Sequence, residues 1–216
     1  MTDIRWPALR PPSRSAGWNQ RGISPRNLLA VLVLVAPMTA LAHVEGGAAG
    51  GFLSGMSHPV SGLDHVLAMV AVGLWGAQLG APAIWLLPVA FPIMMPFGGL
   101  LGLSGIELPA VELGIALSAV ILGALILGAI RLPLAAALLI VGFFAIFHGH
   151  AHGAEMSPGQ SAILYSIGFV IATGLLHAAG IGVGLIHRWD TGRVALRGAG
   201  AVVMAGGAFF LWNALA

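Results

Sequence analysis

Residues 132–155 read LPLAAALLIVGFFAIFHGHAHGAE. An apolar run, Leu132 to Ile146, passes directly into Phe147-His148-Gly149-His150-Ala151-His152-Gly153-Ala154-Glu155. Those last residues hold three of the chain's eight histidines and one of its seven acids. Nitrogen and oxygen donors at the end of a membrane-length segment are costly in lipid and mark function by default. On a helix, His148, His152 and Glu155 fall at i, i+4 and i+7 and share one face, while His150 points away. Two imidazoles and a carboxylate on one face suit a borderline divalent metal. The competing reading is a polar helix end with its histidines at headgroup level.

The rest of the chain agrees with a membrane setting. Of 216 residues 58% are hydrophobic and 7% are charged, with a mean hydropathy of +0.97. A soluble domain carries about 25% charged residues. The chain has no cysteine, which excludes a disulfide framework and any thiolate metal site. Any metal must bind through imidazole, carboxylate, amide, backbone or the chain terminus.

The amino-terminal stretch reads as a signal peptide. Arg5, Arg10, Arg14, Arg21 and Arg26 form a basic region, followed by an apolar core from Leu28 to Ala36 that is short for a span. Pro37 breaks it, and Ala40-Leu41-Ala42 is a small-x-small cleavage signature without a twin arginine before it. Cleavage after Ala42 makes residues 1–42 a leader and His43 the first mature residue. An uncleaved anchor is the alternative. The basic balance belongs to this leader: residues 43–216 keep only Arg131, Arg188, Arg193 and Arg197 against six acids. It therefore says nothing about nucleic acid.

The mature chain divides into apolar segments at 59–79, 83–103, 108–130, 132–149, 161–187 and 194–215. Each is near the ~20 residues that a spanning helix needs. The alternating pattern of barrel strands is missing. The expected fold is all-α: one polytopic bundle of about six transmembrane helices after a cleaved signal peptide. With the mature terminus outside, all four remaining arginines fall at inner ends, as the positive-inside rule asks. His58, Asp64, His65, His148, His152, Glu155, Glu107 and Glu112 then lie towards the outside, with His177 deep in the fifth segment. A ligand-rich outer vestibule above an apolar bundle fits collection of a cation.

The second motif is His58-Pro59-Val60-Ser61-Gly62-Leu63-Asp64-His65. Ser57 is placed to cap the helix, with Pro59 in its first turn. His58 and His65, seven apart, are expected on one face. Asp64 can ligate directly, or accept the second ring N–H of a ligating histidine and fix its tautomer. An ionised Asp facing lipid costs about 2.5–3.5 kcal/mol, so it should face the interior. A structural Asp–His pair tying helices together is the plainer reading.

These paired motifs, His58-Pro-x-x-Gly62-x-Asp64-His65 and Phe147-His148-Gly149-x-Ala151-His152-Gly153-x-Glu155, resemble those of the HupE/UreJ family. The resemblance covers roughly residues 43–216, including a histidine after the signal (His43) and one in the fifth helix (His177). It departs in a longer basic leader and in the extra His150. It implies a six-helix permease in the bacterial inner membrane, associated with hydrogenase or urease accessory genes and importing nickel or, in some members, cobalt. Spacing alone gives only an N/O-ligand divalent site.

The expected main site is His58, Asp64, His65, His148, His152 and Glu155. His43 adds its imidazole and α-amine if cleavage follows Ala42, and His177 is an inner relay or a packing residue. Ni²⁺ or Co²⁺ is expected as cargo rather than as a catalytic cofactor, with the bilayer as the other partner. Nothing in the sequence fixes an oligomer. Two readings from other classes remain: an intramembrane zinc hydrolase, and a metal sensor or buffer. Against the enzyme, no separate nucleophile or oxyanion motif is found.

Overall fold

The computed structural model describes residues 48–156 and 159–216. The expected leader, 1–42, and His43 lie outside them. The described chain runs α1 (Ala48–Ser61), α2 (Leu63–Leu79), α3 (Ala83–Leu103), α4 (Val111–Leu127), α5 (Leu134–Ala154), α6 (Ala162–Gly184), a 3-10 turn (Leu185–Arg188) and α7 (Asp190–Leu215). No strand occurs among the described residues, so the all-α expectation holds. Helices are what lipid allows, since each backbone N–H and C=O finds its partner within its own segment.

Among the described residues, length and composition alone mark four helices as spans, or five with a bent pair. Helices α3, α5, α7 and α6 with its 3-10 extension are each long and apolar enough to cross a bilayer. Helices α1 and α2 meet at a bend of 82°, the geometry of a broken span or a re-entrant loop, and as one span they bring the count to five. Helix α4 has 17 residues. At ~26 Å long it stands at the short limit of about 17 residues for a spanning helix, and it runs from the His150 end of the bundle to the arginine-bearing end.

The first segment is not the single helix 59–79. Pro59 lies near the end of α1, not in the first turn of a helix. The Ser57 hydroxyl donates back to the Ser54 carbonyl instead of capping. The chain breaks at Gly62 and restarts at Leu63. His58 and His65 therefore sit on different helices, and the bend, not a shared face, brings them together. The fourth segment also differs, because α5 continues to Ala154 and carries both histidines of the HxxxH pair inside the helix.

Small residues let the helices approach to backbone contact, the usual device where lipid offers no hydrophobic driving force. On α3, Gly98 faces the Ile146 carbonyl and Gly102 the His150 carbonyl; on α5, Gly149 faces the Met95 carbonyl and Gly153 the Gly99 carbonyl. The α4–α7 pair does the same with Gly123, Gly200 and Gly207, and α2–α6 with Gly73 and Gly180. Of the α6 glycines, Gly168, Gly180 and Gly184 meet neighbouring helices, whereas Gly174 and Gly182 meet nothing.

The two ends of the bundle differ in chemistry. At one end Arg197 Nε donates to the Leu127 carbonyl at 2.8 Å, Gln78 Nε2 to Ile126 at 3.1 Å and Trp75 Nε1 to Ile130 at 3.3 Å. These bonds gather the α2 and α4 C-termini and the α7 N-terminus at the arginine-bearing end. At the other end His150 Nε2 lies 2.8 Å from the Ile106 carbonyl and 3.2 Å from the Leu108 N–H. His150 thus ties the α3–α4 turn to α5, away from the other histidines, as its position on the helix predicts.

Candidate metal centre

Two sequence motifs converge at this second end. In α5, residues Ala137, Val141, Ala145, Gly149 and Gly153 form a small ridge at every fourth position. Seating that ridge on α3 turns the neighbouring His148 and His152 inward, fully and nearly fully buried. The glycines of the HGxAHG motif are therefore packing residues that aim its histidines. From the bend come His58, the fourth residue from the end of α1, and Asp64 and His65, which open α2.

Four imidazoles form a contiguous cluster. His152 has ring centroids 4.7 Å away on both His58 and His65, and His65 is 4.8 Å from His148. Phe169 of α6 lies 4.4 Å from His152, and Tyr165 lies 5.8 Å from His58. Glu155 closes the outer edge: its Oε2 is 3.0 Å from His58 Nε2. His58, His152 and Glu155 bring one ligand atom each to within 4.8 Å of one another, the single such group among the described residues.

Hydrogen bonds set two tautomers. His65 Nδ1 is 2.9 Å from Asp64 Oδ1, so Nδ1–H donates to the carboxylate and Nε2 keeps its lone pair. The same Oδ1 accepts the His65 backbone N–H at 2.8 Å. The carboxylate folds back over Gly62, where a Cβ would stand 2.7 Å from Oδ1, so the break must be a residue without one. In α4, the Ser118 hydroxyl donates to the Ile115 carbonyl at 2.6 Å. Its oxygen therefore accepts from His148 Nε2–H at 3.0 Å, leaving His148 Nδ1 as the free base.

The free nitrogens are the chemical signature. His65 Nε2, His148 Nδ1 and both nitrogens of His152 are buried without a hydrogen-bond partner. Each buried unpartnered polar atom costs about 1–3 kcal/mol, and native structures hold few of them. A run of them along neighbouring rings is matched by a Lewis acid. The donor set of imidazole and carboxylate, without thiolate, fits a borderline divalent ion.

The structure brings together His58, Asp64, His65, His148, His152 and Glu155, all six expected main-site residues. It corrects one detail, since the histidines do not line an open vestibule: His148 is 0% exposed, and only Glu155 is widely open, its side chain 56% exposed. His177 is buried one layer deeper, outside the cluster. Glu107 and Glu112 are exposed. A cleft of about 450 Å³ between α3, α5 and α6 also reaches His152, but its walls are mostly apolar. A hydrated ion meets polar ligands first at Glu155 and His58.

Ser118 was not singled out from the sequence. Its signal was available, since it is the one hydroxyl in the apolar run of α4. Ser118→Ala will weaken divalent-ion affinity by roughly 10–100-fold, the usual loss when a ligand's orienting partner goes. Equilibrium dialysis against Ni²⁺ or Co²⁺ measures it, and unchanged affinity would remove Ser118 from the centre.

The sequence model of the family described as "HupE / UreJ protein" matches residues 30–210. The chain is similar to "Protein HupE" of Rhizobium leguminosarum bv. viciae, with 47% identity over 183 residues, covering 85% of this chain and 94% of that relative. No solved structure matches.

Proposed function

Since the chain belongs to the HupE/UreJ family, we propose that it is a multi-pass membrane permease that imports a divalent transition-metal ion, Ni²⁺ or Co²⁺, into the cytoplasm. The observation that carries this reading is the meeting of the His58 ring of α1 with the unpartnered imidazole nitrogens of His65 in α2 and of His148 and His152 in α5. Nickel and cobalt as cargo, and supply of hydrogenase, urease or cobalamin assembly as purpose, rest on the family resemblance. The chain acts as a carrier rather than an enzyme, and the metal is substrate, not a resident cofactor.

The proposed sequence of events follows the donors inward. Glu155 and His58 meet the hydrated ion at the open edge. His152, His65 and His148 replace its waters in turn, with Asp64 raising the basicity of His65. Exchange of hydration for a succession of ligands lets an ion enter and still leave. The site end faces the periplasm in this reading, and the arginine-bearing end faces the cytoplasm. Residues 1–42 are a cleaved leader in this reading, and cleavage after Ala42 gives His43 a free α-amine beside its imidazole as a further ligand.

Radiolabelled Ni²⁺ uptake by cells expressing the full chain tests the proposal, with Co²⁺ and Zn²⁺ as competitors. Expected are saturable uptake, suppression by excess Co²⁺, and loss in His65→Ala. Glu155→Gln, which keeps the shape and loses the charge, will slow capture about tenfold or more at low Ni²⁺. A correctly inserted wild type that accumulates no metal would sink the permease reading.

A further inference from the structure

Beneath the histidine cluster lies a second group of buried polar atoms that the main site does not use. Tyr165, Phe169, Thr173 and His177 repeat at every fourth residue of α6 and so form one stripe along it. All four are buried. The upper two touch His58 and His152. The lower two carry three orphans: Thr173 Oγ1, His177 Nδ1 and His177 Nε2 have no hydrogen-bond partner. Thr173 is 0% and His177 1% exposed.

Across from this stripe, α3 supplies an oxygen. Pro88, Pro92 and Pro96 all lie inside the helix, four residues apart. A proline has no N–H for the carbonyl four residues earlier, so Pro92 leaves the Pro88 carbonyl free and Pro96 leaves that of Pro92. The His177 ring approaches the Pro88 carbonyl, though neither ring nitrogen closes a hydrogen bond. Between the two layers stands one aromatic ring. Phe91, 0% exposed, has centroids 5.3 Å from His148 above and 5.5 Å from His177 below.

We infer that His177, Thr173 and the freed Pro88 carbonyl form a second cation site, one step inward of the histidine cluster and separated from it by Phe91. This inference rests on the permease reading and gives it an inner station. The donors are one imidazole and two neutral oxygens, a set suited to the same borderline divalent ion. The chemistry also orders the two sites. The outer cluster has Asp64 and Glu155 beside its histidines, whereas no carboxylate belongs to the inner set. Fewer charged ligands bind a divalent ion more weakly. Affinity therefore falls along the path, and the inner site receives the ion and releases it, as conduction through several sites requires.

The test is Ni²⁺ binding stoichiometry on the purified full chain, paired with Ni²⁺ uptake in cells. Wild type will bind one weakly held ion beyond those of the outer cluster. His177→Ala will lose that ion, keep the tighter binding, and lower uptake about tenfold or more. Thr173→Val, close in shape but without the hydroxyl, will weaken the same ion alone. If His177→Ala fails to insert, Thr173→Val decides. A wild type that transports nickel but binds no weaker ion, or a Thr173→Val and His177→Ala pair matching wild type in stoichiometry and uptake, overturns the inner site only. A wild type that neither binds nor carries metal overturns the permease reading and the inner site with it.

Discussion

His152→Ala will lower Ni²⁺ uptake by more than about 100-fold, beyond what loss of an orienting partner alone produces, while the protein still inserts and folds. His152 sits at the middle of the cluster, with His58 and His65 both at 4.7 Å. Removing it takes away the one ring in contact with both arms of the bend. The fold should tolerate the change, because the imidazole carries two buried nitrogens with no partner. Their desolvation, about 1–3 kcal/mol for each atom, offsets the cavity left behind. Metal-free thermal stability is thus expected to be unchanged or raised, and added Ni²⁺ will stabilise wild type but not the variant. Uptake near wild type in His152→Ala would remove His152 from the path.

Gly149→Leu will have the opposite profile: the protein will fail to fold or insert, and activity will disappear with it. A Cβ at residue 149 would collide with the backbone carbonyl of Met95, which no rotamer change can relieve. Gly153 is pressed in the same way on Gly99, so the two helices cannot slide to make room. Overpacking a well-filled interface costs about 1–3 kcal/mol and more when backbone must move. Separating α3 from α5 also turns His148 and His152 away from the cluster. Membrane yield and thermal melting measure the loss. Gly174→Leu is the control, since nothing lies near residue 174. Equal yields from both variants would contradict the packing described.

The HxxxH and Glu155 motif was legible in sequence because it lies on one continuous helix with one period. The first motif was legible in composition but not in geometry. Gly62 breaks the helix at a single residue, and the polar residues beside it, Asp64 and His65, read as ligands on a continuous helix rather than as a boundary. Pro59 is as much at home near the end of α1 as at a helix start, so its position did not separate the two. The shortness of α4 was hidden for a related reason. Apolar length alone does not show that α4 stops at Leu127, where side chains from α2 and α7 take over its end. Ser118 was passed over because a lone helical hydroxyl ordinarily bonds its own backbone. Here it does so, to Ile115, and holds His148 as well.

The short α4 bears on how the chain is made. Its Leu127 carbonyl is satisfied by Arg197, and its Gly123 is matched by Gly200, both from α7. That helix leaves the ribosome after α4. Until it arrives, the fourth helix is present but its end is unprovided for, and a nascent chain stopped before Asp190 lacks the donor that completes it. The end of the fourth helix is thus completed only once α7 has been made.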